Sequence, residues 1–221
     1  MKKQIQLVLA LAGLLTFGSA SALIIDSFDF PADGDLVGIR NGAAFPRLTT
    51  TTLDVGDRFI GTSRTLSVTS TTPVSAQSTG ELNGLTPDAL DMQNSVVAIG
   101  TFTVSWDGID HIDLTENGTI LGFQLTIPEA IDNPLIVTFS AGAASVTRTF
   151  PNGTQGSGFF IPFGNQDFSD VTRLTASFTG SAGWDAVVQL IGTAPIPGTL
   201  LLMGVGLLGL ARWGKRAGGQ G

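Results

Sequence analysis

The stretch Thr101-Phe102-Thr103-Val104-Ser105-Trp106 alternates apolar and hydroxyl side chains without a break. In an extended strand successive side chains point to opposite faces, so this parity puts Phe102, Val104 and Trp106 on one face and the hydroxyls on the other. A helix would scatter the same residues around its axis. The pattern recurs on both sides of this stretch: Leu66 and Val68; Phe123, Leu125 and Ile127 against Gln124 and Thr126; Leu135, Val137 and Phe139. It continues with Val146 and Phe150, with Leu174, Ala176 and Phe178, and with Trp184, Ala186, Val188 and Leu190. Short Val-, Thr- and Phe-rich segments punctuated by Gly, Pro, Asn and Asp are the signature of antiparallel strands with one solvated face. The fold class expected is all-β, an antiparallel two-sheet β-sandwich of jelly-roll type. Trp106 and Trp184 share parity with core residues and are expected as buried anchors.

Helical signals are few. Thr86-Pro87-Asp88 offers a cap with proline at the first helical position, so Ala89, Leu90 and Met92 form either one or two helical turns or a loop. Phe159-Phe160-Ile161-Pro162-Phe163, approached through Gly153, Gly156 and Gly158, reads either as a buried strand or as an exposed apolar loop.

The chain has no cysteine, which removes disulfides, thiol nucleophiles and thiolate metal sites, and a single histidine, which removes multi-histidine metal sites. All 18 acidic residues lie between Asp26 and Asp185, where only six arginines and no lysine oppose them, leaving the interior twelve charges negative. Such a surface repels phosphate backbones and excludes nucleic acid as a partner.

The positive charges that remain mark the two ends. Lys2 and Lys3 precede an apolar run at 5–17, and Ala20-Ser21-Ala22 places small residues where signal peptidase tests them. Residues 1–22 are therefore expected to be a cleaved signal helix, with Ala20 and Ala22 as the cleavage determinants and Leu23 as the first residue of the exported chain. At the other end, Pro195-Ile196-Pro197-Gly198 leads into the apolar run LLLMGVGLLGLA at 200–211, followed by Arg212, Trp213, Lys215 and Arg216. The prolines break any helix continuing from the body, and the basic cluster at 212–216 holds the far end on the cytoplasmic side. A transmembrane helix over 198–211 is expected; at about 1.5 Å per residue it is short against a hydrocarbon core of about 30 Å, so it anchors weakly. An anchor that is never cut needs the same apolar and basic pieces.

This tail, residues 194–221, resembles the PEP-CTERM sorting domain of Gram-negative bacteria, in which a Pro-Glu-Pro motif precedes a Leu/Gly-rich helix and an Arg-rich end. Pro195 and Pro197 match the motif prolines, and Arg212, Lys215 and Arg216 match the basic end; Ile196 stands where the family usually has glutamate, and five residues follow the basic cluster. The resemblance implies recognition by an exosortase-like transpeptidase, a transient stay in the inner membrane, and delivery to the cell surface or extracellular matrix, where such cargo is linked with exopolysaccharide and biofilm. Phe59-Ile60-Gly61-Thr62-Ser63-Arg64 is similar to a Gly-Gly-x-Arg turn in a recurring group of that cargo. Ser105-Trp106-Asp107-Gly108-Ile109-Asp110 is similar to a Trp-Asp-Gly stretch of the same group and Asp167-Phe168-Ser169-Asp170-Val171 to a turn before its penultimate strand; the group carries no activity over to this chain.

Residues 23–193 form the expected β domain. Its densest polar cluster is 107–118, where Asp107, Asp110 and Asp113 are candidates for calcium, which takes six to eight oxygens; the EF-hand spacing is absent, and Asp-Gly and Asn-Gly pairs serve ordinary turns. No G-x-S-x-G elbow accompanies His111, and the glutamates are only Glu81, Glu116 and Glu129, so no nucleophile, base and orienting group form a set. The expectation is a secreted, surface-sorted structural or matrix protein without catalytic activity or cofactor. The alternative is a carbohydrate-binding module for exopolysaccharide.

Overall fold

A computed structural model describes residues 22–28, 36–39, 47–51, 59–70, 78–82 and 88–195. The strands are β1 (Ile24–Asp26), β2 (Leu36–Ile39), β3 (Arg47–Thr51), β4 (Ser63–Ser70), β5 (Ser78–Leu82), β6 (Leu90–Asn94) and β7 (Gly100–Asp107). They continue with β8 (Ile120–Ile127), β9 (Leu135–Ala141), β10 (Ala144–Phe150), β11 (Gly156–Pro162), β12 (Leu174–Gly180), β13 (Ala186–Val188) and β14 (Leu190–Pro195). Every pairing among them is antiparallel. No helix occurs among the described residues, and none there is long and apolar enough to cross a membrane. The expected signal and tail segments, including Ala20, Ile196, Pro197, Gly198, Arg212, Lys215 and Arg216, lie outside the described residues.

The all-β expectation holds, but the two expected sheets are three. A six-stranded sheet, β10-β9-β12-β7-β4-β3, is faced by two four-stranded ones, β1-β14-β8-β11 and β13-β6-β5-β2. The opposing layer divides where the alternating run 184–190 divides. Val188 pairs with Leu90, Leu190 pairs with Thr126, and the single residue between them, Gln189, donates its N–H to the Thr126 carbonyl at 3.1 Å. One sequence period thus serves two different partner strands.

Between the layers the parity predicted from 101–106 is met: Phe102, Val104 and Trp106 are buried, as are Phe123, Leu125 and Ile127 and Leu135, Val137 and Phe139. Phe123 stacks on Phe139 with ring centroids 4.1 Å apart, and Phe102 meets Trp184 edge-on at 5.4 Å, pairs that each add about 1 kcal/mol to the burial itself. Both tryptophans are the expected buried anchors. Each indole N–H is satisfied, Trp106 Nε1 donating to Asp26 Oδ2 at 2.8 Å and Trp184 Nε1 to the Gly100 carbonyl at 3.0 Å.

Two local expectations are corrected. Leu90 and Met92 lie in strand β6 rather than in helical turns or a loop, because β5 and β13 flank it on both sides and bury both residues, while Asp88 turns the chain with a positive φ of 55°. The aromatic run 159–163 is neither wholly buried nor a loop. It is mostly the edge strand β11, with Ile161 and Phe163 in the core and Phe160 on the outer face.

Beneath one end of the sandwich lies a polar knot. The Asp26 carboxylate, fully buried, accepts from Arg64 NH1 at 2.8 and 2.7 Å, from Trp106 Nε1 and from the Phe28 N–H at 2.8 Å. The Arg64 guanidinium lies 5.7 Å from the Phe28 ring centroid and 5.3 Å from that of Phe59. Burial pushes the Asp26 carboxyl up, against the opposing pull of Arg64.

Candidate functional site

Three loops meet at the end of the sandwich where β7 stops and β8 begins: 108–119, 163–173 and the β9–β10 hairpin. Their backbones are fastened before any ligand arrives. Ile112 and Val171 exchange hydrogen bonds at 3.0 and 2.9 Å, the Leu114 N–H reaches the Phe168 carbonyl at 3.0 Å, and Ile109, Leu114, Phe168 and Val171 are buried beneath. Below them Thr62 N–H donates to the Asp107 carbonyl at 2.8 Å, an approach that needs glycine at Gly61, where φ is +87° and a Cβ would fall 2.4 Å from that carbonyl oxygen. Gly108, at φ +67°, meets the Thr62 side chain in the same way. Polar side chains on these loops therefore sit on a rigid support.

Between the hairpin and loop 163–173 opens a cleft of about 610 Å³, within the usual range for ligand sites, lined on the hairpin side by the small residues Ala141, Gly142, Ala143 and Ala144. Its polar lining is Asn165, Gln166, Asp167, Asp170, Thr172 and Arg173. Gln166 Oε1 accepts from the Ser145 N–H at 3.1 Å, which ties the lining to strand β10. The Ser169 hydroxyl and N–H bond to Asp167 and hold its carboxyl below the usual range. Asp170 Oδ1 lies 2.6 Å from His111 Nδ1; that hydrogen bond, helped by the charges of Asp170 and Asp110, raises the imidazole above its ordinary value. Arg173 Nε pairs with Asp107 Oδ1 at 3.1 Å.

The calcium candidates of the sequence are not gathered into one site. Asp107 turns to Arg173, and Asp110 is exposed. Asp113 is spent on its own loop, accepting from the Thr115 N–H and hydroxyl at 2.8 and 2.6 Å and from the Asn117 N–H at 2.8 Å. Partial desolvation works against its ionisation, but these donors prevail and its carboxyl is lowered. No group of three or more metal-ligating side chains occurs among the described residues. Pro195, the first proline of the expected processing motif, ends β14 with its backbone opposite Ile120, and Ala22 is exposed just before β1.

The opposite end of the sandwich carries a smaller pocket of about 220 Å³ lined by Asp91, Glu129, Asp132 and Asp185, below the size of most ligand sites. Asp185 accepts the Asn94 N–H at 2.6 Å; burial first, then the charges of Asp132 and Asp91, push its carboxyl up.

The cleft residues Asn165, Gln166, Thr172 and Arg173 and the buried Asp26–Arg64 pair were not legible as a site in the sequence. Of the stretches 59–64, 105–110 and 167–171 singled out in the sequence, the first two supply the knot, through Arg64 and Trp106, and the third supplies Asp167 and Asp170 of the cleft.

No protein-family model matches the chain, and no curated protein matches it in sequence. Among solved structures, the chain is similar in backbone to a family 11 carbohydrate-binding module of a cellulosomal cellulase from Clostridium thermocellum, at 7% identity and a TM-score of 0.42, covering 81% of this chain and 97% of that one. A second structure of a family 11 module from that organism, in complex with a mixed-linked β-1,3-1,4 tetrasaccharide, gives 9% identity and a TM-score of 0.38, covering 79% and 96%. The enzymatically active domain of tailspike protein 4 of bacteriophage CBA120 gives 15% identity and a TM-score of 0.29, covering 80% of this chain and 21% of that one. These are partial backbone likenesses, and the chemistry of the cleft is set by its own residues.

Proposed function

We propose that this chain is a non-catalytic glycan-binding β-sandwich, exported and held at the cell surface by its C-terminal tail. The observation that carries the glycan reading is the composition of the cleft. Carboxamides, carboxylates, a threonine hydroxyl and a guanidinium line it beside the small residues of the hairpin, a set that can donate to and accept from the hydroxyls of a sugar chain. The loops that present them are tied by backbone bonds and buried apolar residues, so little ordering cost is left for binding. The one imidazole is bonded to Asp170 on the surface, and no serine or threonine hydroxyl among the described residues is bonded to it.

Export and anchoring are supported by the sequence of the ends: the signal-like run before Leu23 and the proline, apolar and basic blocks after Thr193. An exosortase-like transpeptidase then acts at Pro195 to Gly198, and the role at the surface is to hold exopolysaccharide in the matrix.

The test is retention of the full chain on immobilised polysaccharides, comparing wild type with Asn165→Ala and Arg173→Ala. At least a ten-fold loss of affinity in each variant, with unchanged tryptophan emission, is the expected result. Undiminished binding by both would move the site elsewhere, and no binding by the wild type to any polysaccharide would end the glycan reading.

A further inference from the structure

We infer that the cleft selects uncharged glycans and rejects those bearing uronate, sulfate or phosphate, a deepening that rests on the glycan reading above. Asp167 and Asp170 line the cleft, and Asp107, Asp110 and Asp113 occupy the adjoining loop. The basic side chains there are Arg173 and His111, and each already has an acidic partner. Arg173 is paired with Asp107 at 3.1 Å and His111 with Asp170 at 2.6 Å.

An arginine in a cleft invites the opposite conclusion, that it clamps a carboxylate. Here Asp107 on Nε already offsets part of the guanidinium charge, so an anionic ligand on its remaining N–H groups gains less from it and faces Asp167 and Asp170 as like charges. A neutral sugar chain meets no such repulsion. Its hydroxyls accept from the guanidinium hydrogens other than the one on Nε and donate to the carboxylates, leaving both ion pairs in place. The wider surface acts in the same sense, since 18 acidic residues face six arginines in the interior of the chain.

The experiment titrates the full chain with neutral hexasaccharides of glucose, mannose and galactose and with hexamers of mannuronate and galacturonate, at about 20 mM and about 500 mM salt. These concentrations straddle the change in screening length from about 20 Å to a few ångströms. At low salt the best neutral hexamer is expected to bind at least ten-fold more tightly than either uronate, and high salt should narrow the gap. The double variant Asp167→Asn, Asp170→Asn should shrink the ratio of neutral to uronate affinity several-fold even if neutral binding also changes. Uronates that bind as tightly as neutral hexamers at low salt would overturn the charge selection and leave the glycan reading standing. A preference that neither salt nor the double variant moves would overturn the electrostatic origin, and failure of every hexamer would overturn both readings.

Discussion

Replacing Arg64 by methionine should be among the most damaging single changes in the described chain, and its cost should depend on pH in a fixed direction. The side chain is 2% exposed and its partner Asp26 is fully buried, so the ion pair is shielded from water. Methionine keeps most of the aliphatic stem and its packing, isolating the loss of charge. Removing one member of a buried pair costs about 3–5 kcal/mol, because the remaining charge has no compensation. For a domain of this size that is a fall in Tm of roughly 6–20 °C. Asp26 already has its carboxyl pushed above 3.8 by burial, and without the guanidinium it rises further. A folded-state value above the unfolded one means the variant takes up a proton on folding. Its stability is then greatest below the unfolded value of about 3.8 and falls as pH rises through the raised folded value. Urea unfolding followed by the emission of the buried tryptophans should show a larger deficit against wild type at pH 7 than at pH 4. Adding Asp26→Asn removes the stranded charge while keeping an acceptor for Trp106 Nε1, and should restore most of the loss. A deficit equal at both pH values, or a double variant no better than the single one, would refute the account of the knot as a compensated buried charge.

Two further outcomes are expected. Because the chain has a single histidine, proton NMR reads it without ambiguity: Asp170→Asn should lower the His111 midpoint toward 6.5, and the stabilisation from the pair, complete below 6.5 in wild type, should disappear as pH rises through the raised folded value. Mass spectrometry of protein recovered from the cell surface should find a C-terminus near Pro197; recovery of the peptide 212–221 on the long-lived surface form would favour an uncut anchor.

The strands that could be read from sequence are those whose two faces differ. β4, β9, β10, β12, the 123–127 part of β8 and, apart from buried Ser105, β7 bury one parity and leave the other half-buried or exposed, so apolar and polar residues alternate along them. β5 hides its signal because the core position is Gly80, where a Cβ would lie 2.9 Å from the Phe102 ring; the ring fills the space, and the strand itself carries no apolar residue there. β6 breaks alternation because Leu90, Asp91 and Met92 are all buried between β5 and β13. β1 is three residues long and spends one of them on the buried carboxylate of Asp26. The cleft was illegible for a different reason. Asn165 to Arg173 face a hairpin more than twenty residues earlier, and in the acidic stretch 107–118, the most conspicuous polar feature of the sequence, Asp113 turns to its own backbone and Asp107 to Arg173.

The strand directions settle one more relation between the ends of the domain and its cleft. Leu23 lies beside Thr193, its N–H on the Thr193 hydroxyl at 2.9 Å and its carbonyl accepting the Thr193 N–H at 2.8 Å. Pro195 is opposite Ile120 at the start of β8, Pro162 is opposite Gly122, and Leu174 is opposite Trp106 at the end of β7. The chain therefore enters and leaves the sandwich at the end that carries the cleft, through neighbouring strands about 4.8 Å apart. The acidic pocket of Asp91 and Asp185 and the exposed apolar residues Val96 and Val97 mark the far end. If the chain is tethered beyond Pro195, as proposed above, the cleft is at the end of the domain from which the tether leaves, and a polymer bound there would be held toward that support. Binding at the far end would instead hold the polymer at the distance of the domain's length. For the proposed role in retaining exopolysaccharide, this arrangement fits a fastener pressed against its support better than an arm extended into the medium.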